Sequence, residues 1–126
     1  MNKPTFTTDY KAIEHILLNH YAEGGKQAKS EIMKPAFHDV ATMYSADENG
    51  ELAGGAVVES LFPVIDNHFT PSEPTVAIAY IDITGTAASA RVDSDNLSGY
   101  GFTDYFNLLK INGKWQVVSK IFHAHY

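Results

Sequence analysis

Apolar residues recur every three or four positions in the first half of the chain and at alternate positions in the second, so helices are followed by strands. In "TDYKAIEHILLNHYAEGG", Tyr10, Ile13, Leu17 and Tyr21 share one helical face, Thr8 or Asp9 supplies a start and Gly24-Gly25 a stop. A shorter helix follows in "KQAKSEIMK", where Ala28, Ile32 and Met33 form the apolar side and Pro35 disfavours continuation. "FHDVATMYSADENGELAGG" predicts a small hairpin about Asn49-Gly50, a dipeptide that tolerates the positive φ of a tight turn. The spacing of Val57, Leu61, Ile65 and His68 predicts a third helix. Pro63 would cost about 3 kcal/mol inside it, so a kink or a helix in two pieces is expected.

From Thr75 onward, two β-rich runs each fold about a turn, at Gly85 in the first and Asn112-Gly113 in the second. Helices first and strands last predict an α+β domain in which a curved antiparallel sheet wraps the N-terminal helices. A two-residue turn fixes register. With Asn112 and Gly113 as the turn, Phe106 faces Ser119, Asp104 faces Ile121 and Phe102 faces His123. Phe102, Asp104, Phe106 and Leu108 then share a face with Trp115, Val117, Ser119, Ile121 and His123, and this more apolar face is expected to meet the helices. Asp104 is the anomaly on it, because a charge is costly to bury unless paired, hydrated or useful. It lies diagonal to Ser119 and His123, within reach of long side chains. In the earlier hairpin, Ala77, Ala79, Ile81 and Ile83 share a face with Ala88, Ala90 and Val92. The alanines leave space, either filled by Phe37, Phe62 or Trp115 or kept as a cavity bordered by polar groups.

A chain of 126 residues with 44% hydrophobic and 12% aromatic content fits one domain, residues 1–126, with its own core. A net charge of -6 without a Lys or Arg stripe argues against nucleic acid and anionic membrane, and favours a neutral or weakly charged small molecule as partner. The absence of cysteine removes thiolate metal sites and thiol nucleophiles, and fits a reducing cytoplasm. "MNKPTFTTDY" has no apolar signal core, and no run approaches the roughly 18 apolar residues of a membrane span, so a soluble cytoplasmic protein is expected. His123 and His125 alternate onto one strand face, but there is no H-E-x-x-H spacing, no phosphate-binding glycine loop and no G-x-S-x-G serine. Neither a metal nor a cofactor is expected.

"FHDVATMYS" after the second helix, "IDITGTAASARV" in the middle and "FTDYFNLLKINGKWQVVSKIFHAH" at the end resemble the NTF2-like superfamily, in its SnoaL-like, lumazine-binding branch, over nearly the whole chain. The resemblance implies a cone-shaped, cystatin-like α+β fold, a pocket between the sheet and the helices, and a homodimer formed through the outer sheet face. The pattern itself places Tyr105, Leu109, Val118 and Phe122 on that outer face, a patch that calls for a partner. Ketosteroid isomerases of the superfamily have a strand like "FADDATVED", whose final Asp is the general base. Ser45 stands at that position here with no adjacent base, so steroid-isomerase chemistry by that arrangement is not expected.

Asp104 and His123 are the leading site pair. The carboxylate could orient an imidazole that takes a proton or holds a ligand, or the two could simply close the end of the sheet. Tyr44 and His38 near the pocket mouth, with Ser119 and Trp115 on the Asp104 face, complete the expected ligand-binding set. Three functions fit: a small-molecule binder, a lyase or isomerase in which Asp104 and His123 move a proton, and a dimerisation module whose pocket is vestigial.

Overall fold

The computed structural model describes residues 5–126. The amphipathic stretch expected to stop at the glycine pair stays helical through it. Helix α1 (Thr5–His15) passes into a π-helical segment (Ile16–Ala22) and on into α2 (Glu23–Gln27), ended by Ala28 in the left-handed region at φ 57°. Gly24 instead serves a close approach. A Cβ there would lie 2.7 Å from Met33 Cβ and 2.9 Å from Met33 N, so α3 (Ser30–Met33) packs against bare backbone. Asp66 holds the start of α3, accepting hydrogen bonds from Ser30 N at 2.8 Å and Ser30 Oγ at 2.7 Å. The third helix forms in two pieces, α4 (Val57–Ser60) and α5 (Phe62–Asn67). Pro63 lies in the first turn of α5, where a missing N–H leaves no bond unmade.

β1 (Phe37–Ala46) and β2 (Leu52–Ala56) form the expected hairpin. β3 (Thr75–Thr84), β4 (Ala87–Leu97), β5 (Tyr100–Ile111) and β6 (Lys114–His125) complete one six-stranded sheet in the order β2-β1-β6-β5-β4-β3. Neighbours are antiparallel except β1 and β6, which run parallel. Asn112 and Gly113 form the last turn, with positive φ at both, 51° and 78°.

Two bulges correct the register read from that turn. Ile111 faces Lys114 and Leu108 faces Val117 as expected, but Asn107 then faces Ser119, leaving Val118 without a partner. Because side chains alternate, one extra residue turns the rest of β6 over. Phe106 faces Lys120, Asp104 faces Phe122 and Phe102 faces Ala124. Lys120 and Phe122 therefore point toward the helices, while Ser119, Ile121 and His123 take the outer face expected to carry Phe122. In β3 the register skips Ala79, between Ile78 opposite Val92 and Tyr80 opposite Arg91. Val76 and Ile78 turn inward, and Ala77 and Ala79 are exposed. Ala88 and Ala90 remain inside, opposite Ile83 and Ile81, in packed core.

The core joins Ile13 and Leu17 of the first helical stretch to Phe106, Leu108, Trp115 and Val117 of the last hairpin. Asp9 closes this end. Trp115 Nε1 and Lys110 Nζ both donate to its Oδ1, each at 3.0 Å. These donors hold the Asp9 carboxyl below its ordinary pKa, the Trp115 bond first and the Lys110 bond second. Among the described residues no helix is long and apolar enough to cross a membrane.

Two measurements test this packing. Gly24→Ala gains about 1 kcal/mol of helix propensity but loses about 1–3 kcal/mol to overpacking. Since the obstructing Met33 atoms include backbone, a net drop in the urea midpoint is expected, and an unchanged or raised midpoint would show that α3 yields freely. A lowered carboxyl pKa stabilises the folded chain above the unfolded value and ceases to do so as pH falls through the folded one. The stability gap between the parent and Asp9→Asn is therefore expected to be largest near neutral pH and to shrink below about pH 4, read from urea titrations at pH 7 and pH 3.

Candidate functional site

A cavity of about 330 Å³ opens between the half of β5 and β6 away from their turn and the helices α4 and α5. Its walls are mostly apolar, including Leu61, Val64 and Ile65 from the helices and Phe102 and Phe122 from the strands. Phe69 stacks on Phe102 with ring centroids 6.2 Å apart and planes at 20°, and Phe122 meets Phe102 edge-on at 6.0 Å. His68, Tyr100 and Tyr126 also line it, and Tyr100 and Tyr126 touch each other at 6.1 Å.

Lys120 and Tyr21 add polar groups at the inner wall, and Ser60 is a further polar residue of the lining. Lys120 faces the cavity because of the Val118 bulge, and Met43, its register partner on β1, lines the same space. Tyr21 comes from the π-helical segment, whose buried residues Ile16, Leu17, Tyr21 and Ala22 follow the wider π period. Its ring is fixed edge-on against Phe106, with centroids 4.8 Å apart, and against Phe37 at 6.2 Å. Behind both lies Asp104, wholly buried.

The three groups form one unit. Lys120 Nζ donates to the Tyr21 hydroxyl at 2.7 Å, and that hydroxyl donates to Asp104 Oδ2 at 2.8 Å. Asp104 Oδ1 lies 3.3 Å from Lys120 Nζ, a close charge contact off hydrogen-bond alignment, and accepts no hydrogen bond. The ammonium also sits 4.8 Å from the Tyr21 ring centroid and 4.9 Å from that of Phe122, where the ring quadrupoles attract it. Burial lowers the Lys120 pKa from its ordinary value, opposed by the charge of Asp104. Burial first and Asp104 second raise the Tyr21 pKa well above the ordinary phenol range, so Tyr21 is a neutral hydroxyl. Its single proton is committed to Asp104. Lys120 has three N–H donors, one of them held by Tyr21, and offers a cation to whatever oxygen enters the cavity.

Asp104 is not itself a lining residue of the cavity; it lies behind the wall, and its partners are Tyr21 and Lys120, other than those expected. The pairing with His123 and Ser119 is corrected by the bulge, which puts both on the outer face; Ser119 Oγ accepts from Asn107 Nδ2 at 3.0 Å, and His123 is exposed beside His125. Trp115 is at the opposite end of the core, bonded to Asp9. Tyr44 pairs with the exposed Ile121 and alternates with the inward Met43, and His38 Nδ1 accepts from Val40 N at 3.2 Å near the start of β1. None of these five lines the cavity. Lys120 and Tyr21 were missed as site residues because a regular ladder turns Lys120 outward and helical spacing makes Tyr21 one more core aromatic. Asp104 was the available signal: a buried carboxylate needs a cation, and Lys120 is the one Lys or Arg in β6 beyond its first residue. Among the described residues no three His, Cys, Asp or Glu side chains are grouped to hold a metal ion.

Comparison with known proteins agrees with this architecture. A solved NTF2-like protein of unknown function from Shewanella baltica OS155 is 54% identical, covering 98% of this chain and 99% of its own, with a TM-score of 0.94. A second, from Methylobacillus flagellatus KT, is 32% identical over 100% of this chain and 99% of its own, with a TM-score of 0.88. The aldolase FrzH of a Cladobotryum species is 31% identical over 106 residues, 83% of each chain. Residues 8–123 match the family described as "Putative lumazine-binding", and with this fold and these relatives the chain belongs to that family, within the NTF2-like proteins.

Proposed function

We propose that this chain binds a small, largely apolar molecule carrying a carbonyl or comparable oxygen, with that oxygen received by Lys120 Nζ. The observation that carries the reading is a single cation set in the wall of an apolar cavity, braced from behind by Tyr21 and Asp104. Low surrounding polarity strengthens a charge-assisted bond there, while the apolar walls favour the rest of the molecule. Lyase or isomerase chemistry at the same position is the second reading. It is supported by the likeness to FrzH, which is named an aldolase, and by the same Lys120 charge, which would stabilise negative charge developing on a carbonyl oxygen.

The outer sheet face bears on assembly. Tyr105, Leu109 and Ile121 are exposed on it, and Val118 is half-buried. We propose that a second copy covers this face as a two-fold dimer.

A thermal-shift panel of small ketones, aldehydes and carboxylates tests the binding reading. A ligand at a hundred times its Kd adds about 2.7 kcal/mol of stability, a readable rise in melting temperature. Lys120→Met alone strands Asp104 and is expected to cost about 3–5 kcal/mol, so the variant for comparison is Lys120→Met with Asp104→Asn. Losing a charged hydrogen bond of about 1.5–3 kcal/mol, it should bind the best hit about tenfold to a hundredfold more weakly. Equal affinity for parent and double variant would remove Lys120 from the binding role. For assembly, light scattering should give a dimer mass for the parent and a monomer mass for Ile121→Glu; a monomeric parent rules the dimer out.

A further inference from the structure

We propose that Lys120 is a covalent amine: it forms an iminium with the carbonyl carbon of the molecule held in the cavity, and Tyr21 and Asp104 carry the protons this requires. The proposal rests on the binding reading above, since the carbonyl must first be placed against Nζ. Three observations carry it further than simple ion pairing. Lys120 lines the cavity although it is only 4% exposed, so its amine meets the bound molecule rather than bulk water. Its Nζ, the Tyr21 hydroxyl and Asp104 Oδ2 make a continuous hydrogen-bonded path, 2.7 Å and then 2.8 Å, ending on a carboxylate. Asp104 Oδ1 stands 3.3 Å from the same nitrogen and accepts no hydrogen bond.

The path that links the buried ion pair is also one along which protons can move, and imine formation uses each part of it. A proton first passes from the Lys120 ammonium to Asp104, directly or through Tyr21, and leaves a neutral amine. The nitrogen lone pair forms a C–N bond with the carbonyl carbon as the C=O π pair moves onto oxygen. The nitrogen, now carrying the extra charge, gives one proton to that oxygen, and the product is a neutral carbinolamine. The proton held by Asp104 returns through Tyr21 to the new hydroxyl, which leaves as water while the nitrogen lone pair closes the C=N bond. Ammonium and carbonyl have become iminium and water, Asp104 is a carboxylate again, and no oxidant or reductant is consumed. The charge balance of the buried site is also unchanged, because an iminium cation takes the place of the ammonium beside Asp104 and against the Tyr21 and Phe122 rings. Desolvation favours the neutral amine from which the sequence starts, in the direction in which burial moves the Lys120 pKa.

The test is reductive trapping of the full chain. Protein is incubated at neutral pH with butanal or acetophenone and cyanoborohydride, and alkylation is located by peptide mass mapping. Lys120 is expected to be labelled about tenfold or more faster than the exposed Lys11 and Lys114, because the cavity holds the carbonyl against its amine. Tyr21→Phe, which keeps the packed ring and removes the relay, should slow labelling of Lys120 about tenfold or more, a larger effect than its weakening of the apparent affinity read from the thermal shift of the same compounds. Lys120→Arg, which keeps a cation but has no amine that can form an imine, should lower the total label taken up per chain. A shift in the parent with no preferential labelling of Lys120 overturns the iminium and leaves the binding reading standing. Neither shift nor labelling with any compound of the panel overturns both. Labelling of Lys120 that is indifferent to Tyr21→Phe overturns the relay.

Discussion

Lys120 and Asp104 lie 3.3 Å apart with almost no access to water, and removing two opposite charges from solvent costs several kcal/mol per ion. Attraction between them offsets that cost only if the geometry is held and the remaining polar atoms find partners. The hydroxyl of Tyr21 links the two, accepting from Lys120 and donating to Asp104 Oδ2, while Asp104 Oδ1 keeps only its charge contact with Lys120. The three side chains come from a helical segment, β5 and β6, so satisfying the pair fixes how the first helix lies across the last hairpin. Two local irregularities make the arrangement possible. The π-helical segment sets Tyr21 over Asp104, and the Val118 bulge turns Lys120 toward it.

The same arrangement gives the cavity its chemical character. Packing is dense at the Trp115 end, where Asp9 joins α1 to the hairpin turn, and open at the other, where Phe102 and Phe122 stand apart from α4 and α5. The division of α4 from α5 ahead of Pro63 shapes the helical wall of that open end. The cavity is largely apolar with its positive charge on one side. In the proposed binding role, the low local polarity that makes that charge expensive would also strengthen its bond to a ligand oxygen.

Much of the architecture was legible along the chain. The change from helical to alternating spacing, the turns at Asn49-Gly50 and Asn112-Gly113, and the split caused by Pro63 all rest on local backbone rules, and the hairpins, the two-piece third helix and the α+β order follow them. The helix expected in "KQAKSEIMK", by contrast, is broken by left-handed Ala28 and shortens to Ser30–Met33. The glycine pair misled because glycine at a helix end and glycine at a close contact look alike in sequence; only the position of Met33 separates them. The candidate site was legible in half. Asp104 stood out as a charge on an apolar face, but its partners did not, because a bulge at Val118 leaves no mark in composition or spacing. The same failure, at Ala79, exchanged Ala77 for Val76 and Ile78 on the inner face of β3.

The sequence by itself determined the order of helices and strands, the hairpin turns and the presence of a carboxylate costly to bury unless paired, hydrated or useful, since these depend on near neighbours and on the cost of burying charge. Tertiary structure decided which cation answers it, which faces of β3 and β6 meet the helices, and where the cavity lies. The physical reason is parity. Strand faces alternate residue by residue, so one unpaired residue, accommodated for packing with distant elements, reverses every assignment beyond it.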